Sequence, residues 1–304
     1  MEAVIVTLRA ASEAYRFKVY AWRFSSPRVI IVQIKEAFPM AKIERYAPGS
    51  FCWADLATSD AESAKKFYSE MFGWTVEEDP GPAGIYYIFK SGGNEVGAMY
   101  KAPPGVPTHW GAYFSVANVD EAAAQVAPLG GKILAGPFDV MEAGRMAAAQ
   151  DPQGAGFSLW QAKDSIGATH GGPLNNFCWA ELTTPDPAGA VAFYTGLFGW
   201  KTKPETGVET AQYVEWINGQ APIGGLMPMR GDQWKGVPPH WMLYVSVADC
   251  DERAAKAKQL GGTVCIPPFD IPNVGRIAIL SDAQGAFFSL VHLTAMRLPE
   301  SAHA

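Results

Sequence analysis

Two carboxylates and two histidines stand at matched places in this chain. Asp55 lies in Phe51-Cys52-Trp53-Ala54-Asp55-Leu56 and Glu181 in Phe177-Cys178-Trp179-Ala180-Glu181-Leu182, 126 residues later, while His109-Trp110 returns as His240-Trp241 after 131. An imidazole that titrates near neutrality, oriented by a carboxylate, is a general acid–base pair, and the same two groups also ligate divalent ions. Asp55, His109, Glu181 and His240 are therefore the candidate catalytic residues. The plainer assignment is a carboxylate that hydrogen-bonds a strand end and a histidine packed at a rim, and the residues alone leave both open.

Such groups need elements to hold them, and the chain writes those elements twice. Phe67-Tyr68 and Phe72-Gly73-Trp74 return after 126 residues as Phe193-Tyr194 and Phe198-Gly199-Trp200; Gly130-Gly131, Pro137-Phe138-Asp139 and Gly144-Arg145 return after 131 as Gly261-Gly262, Pro268-Phe269-Asp270 and Gly275-Arg276. So long a period means one domain of about 115 residues copied in tandem. Alternation over Phe51–Leu56 predicts a strand. Ser59 and Glu62 form a capping box before a helix whose apolar stripe is Ala64, Phe67, Tyr68, Met71 and Phe72, with Gly73 as its left-handed stop. In the second copy, Asp186 caps and Pro187 takes the first helical position. Strands Tyr86–Phe89 and Val96–Tyr100 flank the turn Ser91-Gly92-Gly93-Asn94, and the pattern restarts with strand Trp110–Val116, helix Asp120–Leu129 and strands around Ile133, Met146 and Phe157–Trp160. Each domain thus reads as two β-α-β-β-β modules, an α+β fold.

Composition narrows the function classes. The 304 residues are 48% hydrophobic and 18% charged, and no apolar run approaches the ~20 residues of a membrane helix. Net charge is −6, yet residues 1–47 hold eight Lys/Arg against four Asp/Glu, which leaves 16 against 26 in the repeats. An acidic body argues against nucleic acid or an anionic membrane as partner; the partners expected are a small-molecule ligand and the two domains paired within the chain, with a homodimer as a further option. Four cysteines do not make a disulfide scaffold in a chain this long, and Cys52 and Cys178, repeat equivalents on a buried-looking strand, read as reduced core residues. Residues 1–47 have no counterpart in the repeat and no signal-peptide pattern, so Met40 as the natural start competes with an accessory strand or helix, and the cytoplasm is the default location. There is no phosphate-binding glycine loop, no Ser-His-Asp order and no Cys-x-x-Cys pair. Arg145 and Arg276 suit a structural ion pair with Asp139 and Asp270, or a bidentate grip on an anionic ligand.

Three motifs resemble the glyoxalase/bleomycin-resistance/extradiol-dioxygenase superfamily, the vicinal oxygen chelate proteins. They are the Phe-Tyr-x-x-x-Phe-Gly-Trp helix ending, the Val-x-Asx-x-Asp-Glu run from Val116 to Glu121, and the Asp-Pro-x-Gly turn from Asp151 to Gly154. With Ile166-Gly167-Ala168-Thr169 at the joint, the pairing looks most like the two-domain mycobacterial 27-kDa-antigen-like branch, often labelled glyoxalase-like or hydroxylase without an established reaction. The resemblance implies glyoxalase-like domains at 48–163 and 174–293, each a cupped mixed sheet around a cleft. Residues 1–47 are then an extension, 164–173 a linker and 294–304 a tail.

The superfamily's enzymes carry His, Gln or Glu at set cup positions, and matching them here lands on Trp53 and Trp179, on Ser158 and Ser289, on Gly111 and Met242, and near Gly97-Ala98 and Gly224-Gly225. None of these binds a hard divalent ion strongly, so the resemblance implies that the usual metal site is missing and no cofactor is expected. The lesser alternative is a divalent metal on His109/His240 with Asp55/Glu181, a thin set beside the two histidines and carboxylate of a non-haem iron triad. By strand alternation Trp53, Asp55, His109, Tyr113 and Ser158 share the cup face, as do Trp179, Glu181, His240, Tyr244 and Ser289, while Cys52, Cys178, Trp110 and Trp241 turn to the helices. Trp53, Tyr113, Ser158, Trp179, Tyr244 and Ser289 are accordingly the candidate ligand-binding residues. The expected function is a tandem-domain protein that binds a small hydrophobic or aromatic molecule in each cup. A metal-dependent lyase, isomerase or dioxygenase is the alternative, and vestigial cups serving protein contacts are a third.

Overall fold

Period-two and period-3.6 patterns build the same sheet-and-helix layer twice. The computed structural model describes residues 4–6, 19–21, 43–81, 84–169, 174–204, 213–272 and 274–293. Met1–Pro39 is a unit separate from Met40–Ala304. It contributes one antiparallel pair, β1 (Val4–Val6) with β2 (Val19–Ala21). The other expectations for the extension, and those for the tail and for linker residues 170–173, lie outside the described residues.

The first repeat comprises β3 (Phe51–Thr58), α1 (Ala61–Phe72), β4 (Thr75–Gly81), β5 (Gly84–Ser91), β6 (Asn94–Lys101), β7 (His109–Ser115), α2 (Val119–Val126), β8 (Lys132–Val140), β9 (Gly144–Gln150) and β10 (Gly156–Ala162). They form one eight-stranded sheet in the order β4-β5-β6-β3-β7-β10-β9-β8. The second repeat comprises β11 (Phe177–Thr184), α3 (Pro187–Phe198), β12 (Lys201–Pro204), β13 (Val214–Asn218), β14 (Ala221–Pro228), β15 (His240–Ser246), α4 (Cys250–Gln259), β16 (Thr263–Ile271), β17 (Gly275–Ser281) and β18 (Phe287–Leu293), in the matching order β12-β13-β14-β11-β15-β18-β17-β16. In each sheet the opening strands of the two modules pair antiparallel, β3 with β7 and β11 with β15, and each pairs parallel with a later strand of its own module. The cupped, duplicated α+β fold is as expected.

Local chemistry corrects three details. The first helix is capped by Asp60, whose side chain accepts from Ser63 N, not by Ser59; Asp186 plays the same part at α3 with Pro187 in the first turn. Strand β4 escaped the alternation rule because Thr75-Val76-Glu77-Glu78-Asp79-Pro80-Gly81 is polar and holds a proline, which an edge strand tolerates. A bulge between Phe51 and Trp53, repeated between Phe177 and Trp179, breaks the alternation at the cysteines. Cys52 therefore packs with Trp53, Ala98, Tyr113 and Trp160 on the cup side instead of facing the helices.

The two helix-bearing faces share one apolar core. Phe67 and Tyr68 of α1 meet Phe288 of β18, and Phe157 of β10 meets Phe193 and Tyr194 of α3. Polar latches cross in both directions. Trp110 Nε1 donates to the Tyr68 hydroxyl (2.8 Å), which donates to Asp282 (3.0 Å); Trp241 Nε1 donates to Tyr194 (3.0 Å), which donates to Asp151 (3.2 Å). Trp74 and Trp200, read as core, are buried and donate across the pair to Asn175 O and Gly49 O. Gly131 and Gly262 do more than end helices: a Cβ there would press within 3 Å of Phe193 and Phe67, the other half's rings.

Candidate functional site

On the cup face of the first sheet, Asp55 collects three donors. Its Oδ1 accepts from Trp53 Nε1 (3.0 Å) and the Tyr86 hydroxyl (2.5 Å), and its Oδ2 from the Tyr113 hydroxyl (2.7 Å). Tyr86 also accepts from Trp53 Nε1 at 2.9 Å. The second sheet repeats the group: Tyr244 donates to Glu181 Oε1 (2.9 Å), Trp179 Nε1 donates to Tyr213 (3.0 Å), and the Tyr213 hydroxyl pulls the Glu181 pKa down against burial. Each cup therefore holds a quartet of one tryptophan, one acid and two tyrosines. Strand register makes it, because β7 and β15 set Tyr113 and Tyr244 opposite Trp53 and Trp179. Gly225, opposite Glu181, leaves the space that the Tyr213 hydroxyl occupies, where a Cβ would collide with it.

Electrostatics in both quartets is governed by burial. Asp55 and Glu181 are both buried, and loss of water raises each carboxyl's pKa against the opposing pull of its hydrogen-bond donors. Glu181 is pushed up to about 7. Burial, reinforced by the facing acid, drives Tyr86, Tyr113, Tyr213 and Tyr244 well above their ordinary range, so they act as neutral donors. Burial also raises the thiols of Cys52 and Cys178, the latter to about 12, so neither is a ready nucleophile.

The histidines do not join the acids. His109 is exposed at the start of β7, and its Nδ1 bonds to Pro107 O at 2.9 Å; His240 Nδ1 bonds to Pro238 O at 2.9 Å, and burial lowers its pKa. His109 sits opposite Ala57 and His240 opposite Thr183, two residues along from the acids, and no hydrogen bond closes the expected acid–base pair. Arg145 is a structural group: it grips Asp120 at the start of α2 bidentately (both 2.9 Å) and reaches Asp139 at 3.6 Å, as Arg276 holds Asp251 and Asp270. Ser158 and Ser289 lie beside Tyr113 and Tyr244 by register. The Ser289 hydroxyl is close enough to lower the pKa of Tyr244 slightly against burial and Glu181, yet is not placed for a hydrogen bond. Tyr86 and Tyr213 were missed by sequence reasoning. Their signal was present, since they stand 127 residues apart, Tyr86 in β5 and Tyr213 directly before β13, with Phe89 and Trp216 repeating at the same offset.

A strap runs over the first cup. Ser165 N bonds to Ala143 O (3.0 Å), Ala168 N to Cys52 O (2.8 Å) and Thr169 N to Glu95 O (3.0 Å). A cleft of about 570 Å³ opens beside it, ringed by Asp79, Glu95, Glu142 and Asp164, and no quartet side chain lines it.

The residues present do not fit a divalent metal. The positions that the resemblance assigns to metal ligands carry Trp53 and Trp179, Gly111 and Met242, Ser158 and Ser289, and residues near Gly97-Ala98 and Gly224-Gly225, and the nearby acids face N–H and O–H donors while burial raises their pKa. Among the described residues, no three His, Cys, Asp or Glu side chains gather as a ligand set.

The profile of the glyoxalase/bleomycin resistance protein/dioxygenase superfamily matches residues 50–159 and again 176–290. The chain belongs to that superfamily. It is 40% identical over 260 residues, 83% of this chain and 98% of the other, to CFP32 of Mycobacterium tuberculosis, a glyoxylase by provisional name. It is 35% identical over 266 residues, 82% of this chain and 95% of the other, to the anthracycline biosynthesis protein DnrV of Streptomyces peucetius. Among solved structures it is similar to the Mn(II)-bound glyoxalase of Novosphingobium aromaticivorans (TM-score 0.57, 15% identity, 82% of this chain and 86% of that one). It is also similar to the 2,3-dioxygenase LapB of Pseudomonas sp. KL28 (TM-score 0.54, 13% identity, 84% and 93% covered). At such identities these structures speak for the superfamily's fold alone.

Proposed function

We propose that this superfamily member is a binding protein whose cups take a small, flat aromatic molecule without the divalent ion of its enzyme relatives. One observation carries this reading: the buried acid of each quartet is held by tyrosine hydroxyls beside a tryptophan, Asp55 by Tyr86, Tyr113 and Trp53 and Glu181 by Tyr244 next to Trp179, so a polar base lies beneath an aromatic wall. An indole ring at the first ligand position presents a stacking face where an enzyme would present a metal-binding nitrogen or oxygen. A carboxyl held near neutrality can donate to a ligand oxygen as well as accept. The name of the DnrV relative points to polycyclic quinones as the ligand class to test. We place the protein in the cytoplasm, a setting in keeping with its four free cysteines; no helix among the described residues is long and apolar enough to cross a membrane.

The test uses the purified full chain and 1,8-dihydroxyanthraquinone, read by quenching of tryptophan fluorescence. Saturable quenching that is the same with chelator and with added Mn²⁺ or Fe²⁺, and recovery of the quinone unchanged, is the expected outcome. Binding or turnover that appears only on adding metal would overturn the reading.

A further inference from the structure

After its last strand the first repeat turns back across its own cup. In the strap, Lys163 N and Ser165 N donate to Ala143 O (3.1 and 3.0 Å), Asp164 N to Glu142 O (3.1 Å), Ala168 N to Cys52 O (2.8 Å) and Thr169 N to Glu95 O (3.0 Å). Residues ahead of β3 hold it down: Ile43 N donates to Thr169 O (3.2 Å) and the Tyr46 hydroxyl to Ala168 O (2.8 Å). Trp160 Nε1 adds a bond to Ser165 O (3.0 Å). Cys52 and Trp53, in the cluster beneath, are only 1% and 9% exposed.

Gly167 sets how close the strap lies. Its φ is +104°, and a Cβ there would collide with Cys52 O, so only glycine lets the backbone rest directly on β3. The hold is thin all the same. Ser165, Ile166, Ala168 and Thr169 are half-buried, and among the described residues Ala168 is the one strap residue packed on the apolar cluster beneath. The cleft lined by Ser165, Ile166 and Thr169 leaves open space along one flank. A segment with few buried apolar contacts opens for a fraction of the free energy of global unfolding.

We propose that residues 165–169 are a latch that shuts the first cup with the chain's own backbone and lifts as a unit while the sheet stays folded, so that a molecule reaches Cys52 and Trp53 only in the lifted state. The proposal concerns access and is independent of what the cup binds.

Cysteine alkylation of the full chain reads the latch without any ligand. Cys52 and Cys250 are both 1% exposed, Cys52 under the strap and Cys250 in the main core, whereas Cys265 is open to solvent. With N-ethylmaleimide and peptide mass mapping, Cys265 should react first, Cys52 next and Cys250 last. The Cys52 rate should hardly change with urea below the unfolding transition, because lifting a strap uncovers little surface. Tyr46→Phe should speed Cys52 about five- to tenfold, the worth of one hydrogen bond, and Gly167→Ala by more than about tenfold, with Cys250 unchanged in both. If Cys52 reacts together with Cys250 and accelerates with urea alongside it, the strap leaves only on global unfolding; if Cys52 reacts as fast as Cys265, nothing covers it. Either result overturns the proposal. So does an unaltered Cys52 rate in Tyr46→Phe, which decides the matter should Gly167→Ala speed both thiols by unfolding the chain.

Discussion

The acid of each cup decides what its neighbours can do. Glu181 is raised from the ordinary carboxylate range to about 7, mainly by burial. A raised folded-state pKa contributes stability that is present below the unfolded value, near 4.5, and is lost as pH climbs through 7. Tm of the wild-type chain is therefore expected to fall between pH 5 and pH 8. Glu181→Gln should flatten that fall and gain roughly 2–3 kcal/mol over wild type at pH 8, as thermal melts across pH will show. In the first quartet, Tyr113→Phe strips Asp55 Oδ2 of its donor and should cost about 1–3 kcal/mol in urea unfolding. Parity along β3 makes Trp53 and Asp55 legible in the sequence, because a tryptophan and an acid two residues apart share a face. It fails at Cys52, where the bulge resets the alternation, and it passes over Tyr86, whose hydroxyl reaches Asp55 from a strand of weaker pattern, and Tyr213, which accepts from Trp179 just before β13.

Among the elements, the turns that follow β9 and β17 are what fasten one repeat to the other. Asp282 Oδ1 accepts from Gln284 N and Ala286 N, and its Oδ2 from Tyr68 of α1. Asp151 serves Tyr194 in the same way. Tyr68→Phe should leave the Trp110 indole and one Asp282 oxygen unpaired inside the core, at a cost of about 1–3 kcal/mol, and Tyr194→Phe should do the same, both read from denaturant midpoints. The superfamily motifs thus report an interdomain fastening more than a reaction. Their helical spacing is readable in the residues themselves. That the stripe of α1 docks on β18 is not, because periodicity shows that a face is apolar and is silent about which partner covers it.

At the scale of the molecule, the tandem units are halves of one hydrophobic core and not beads on a string. Residues 174–293 expressed alone should bind a hydrophobic dye and melt without cooperativity, since Phe193, Tyr194 and Trp241 lose Phe157 and Phe114. Mixing with residues 40–169 should restore a sharp transition in circular dichroism. Cooperative melting of either half alone would contradict the shared core. The duplication is plain in the sequence and suggests two equal sites, and the structure repeats a buried acid, a tryptophan and tyrosines in both sheets.

The placement of Phe288 sets a timetable for synthesis. Tyr68 of α1 needs both that ring, in the last strand, and the carboxylate of Asp282. The ribosome makes α1 some 220 residues before β18 exists, so the first repeat must wait, the part of its aromatic face that meets Phe288 uncovered, until β18 has emerged. A nonsense mutation anywhere before β18 should therefore release a product whose first repeat is as poorly folded as its last, and ribosome-stalled chains should become protease-resistant in a single late step.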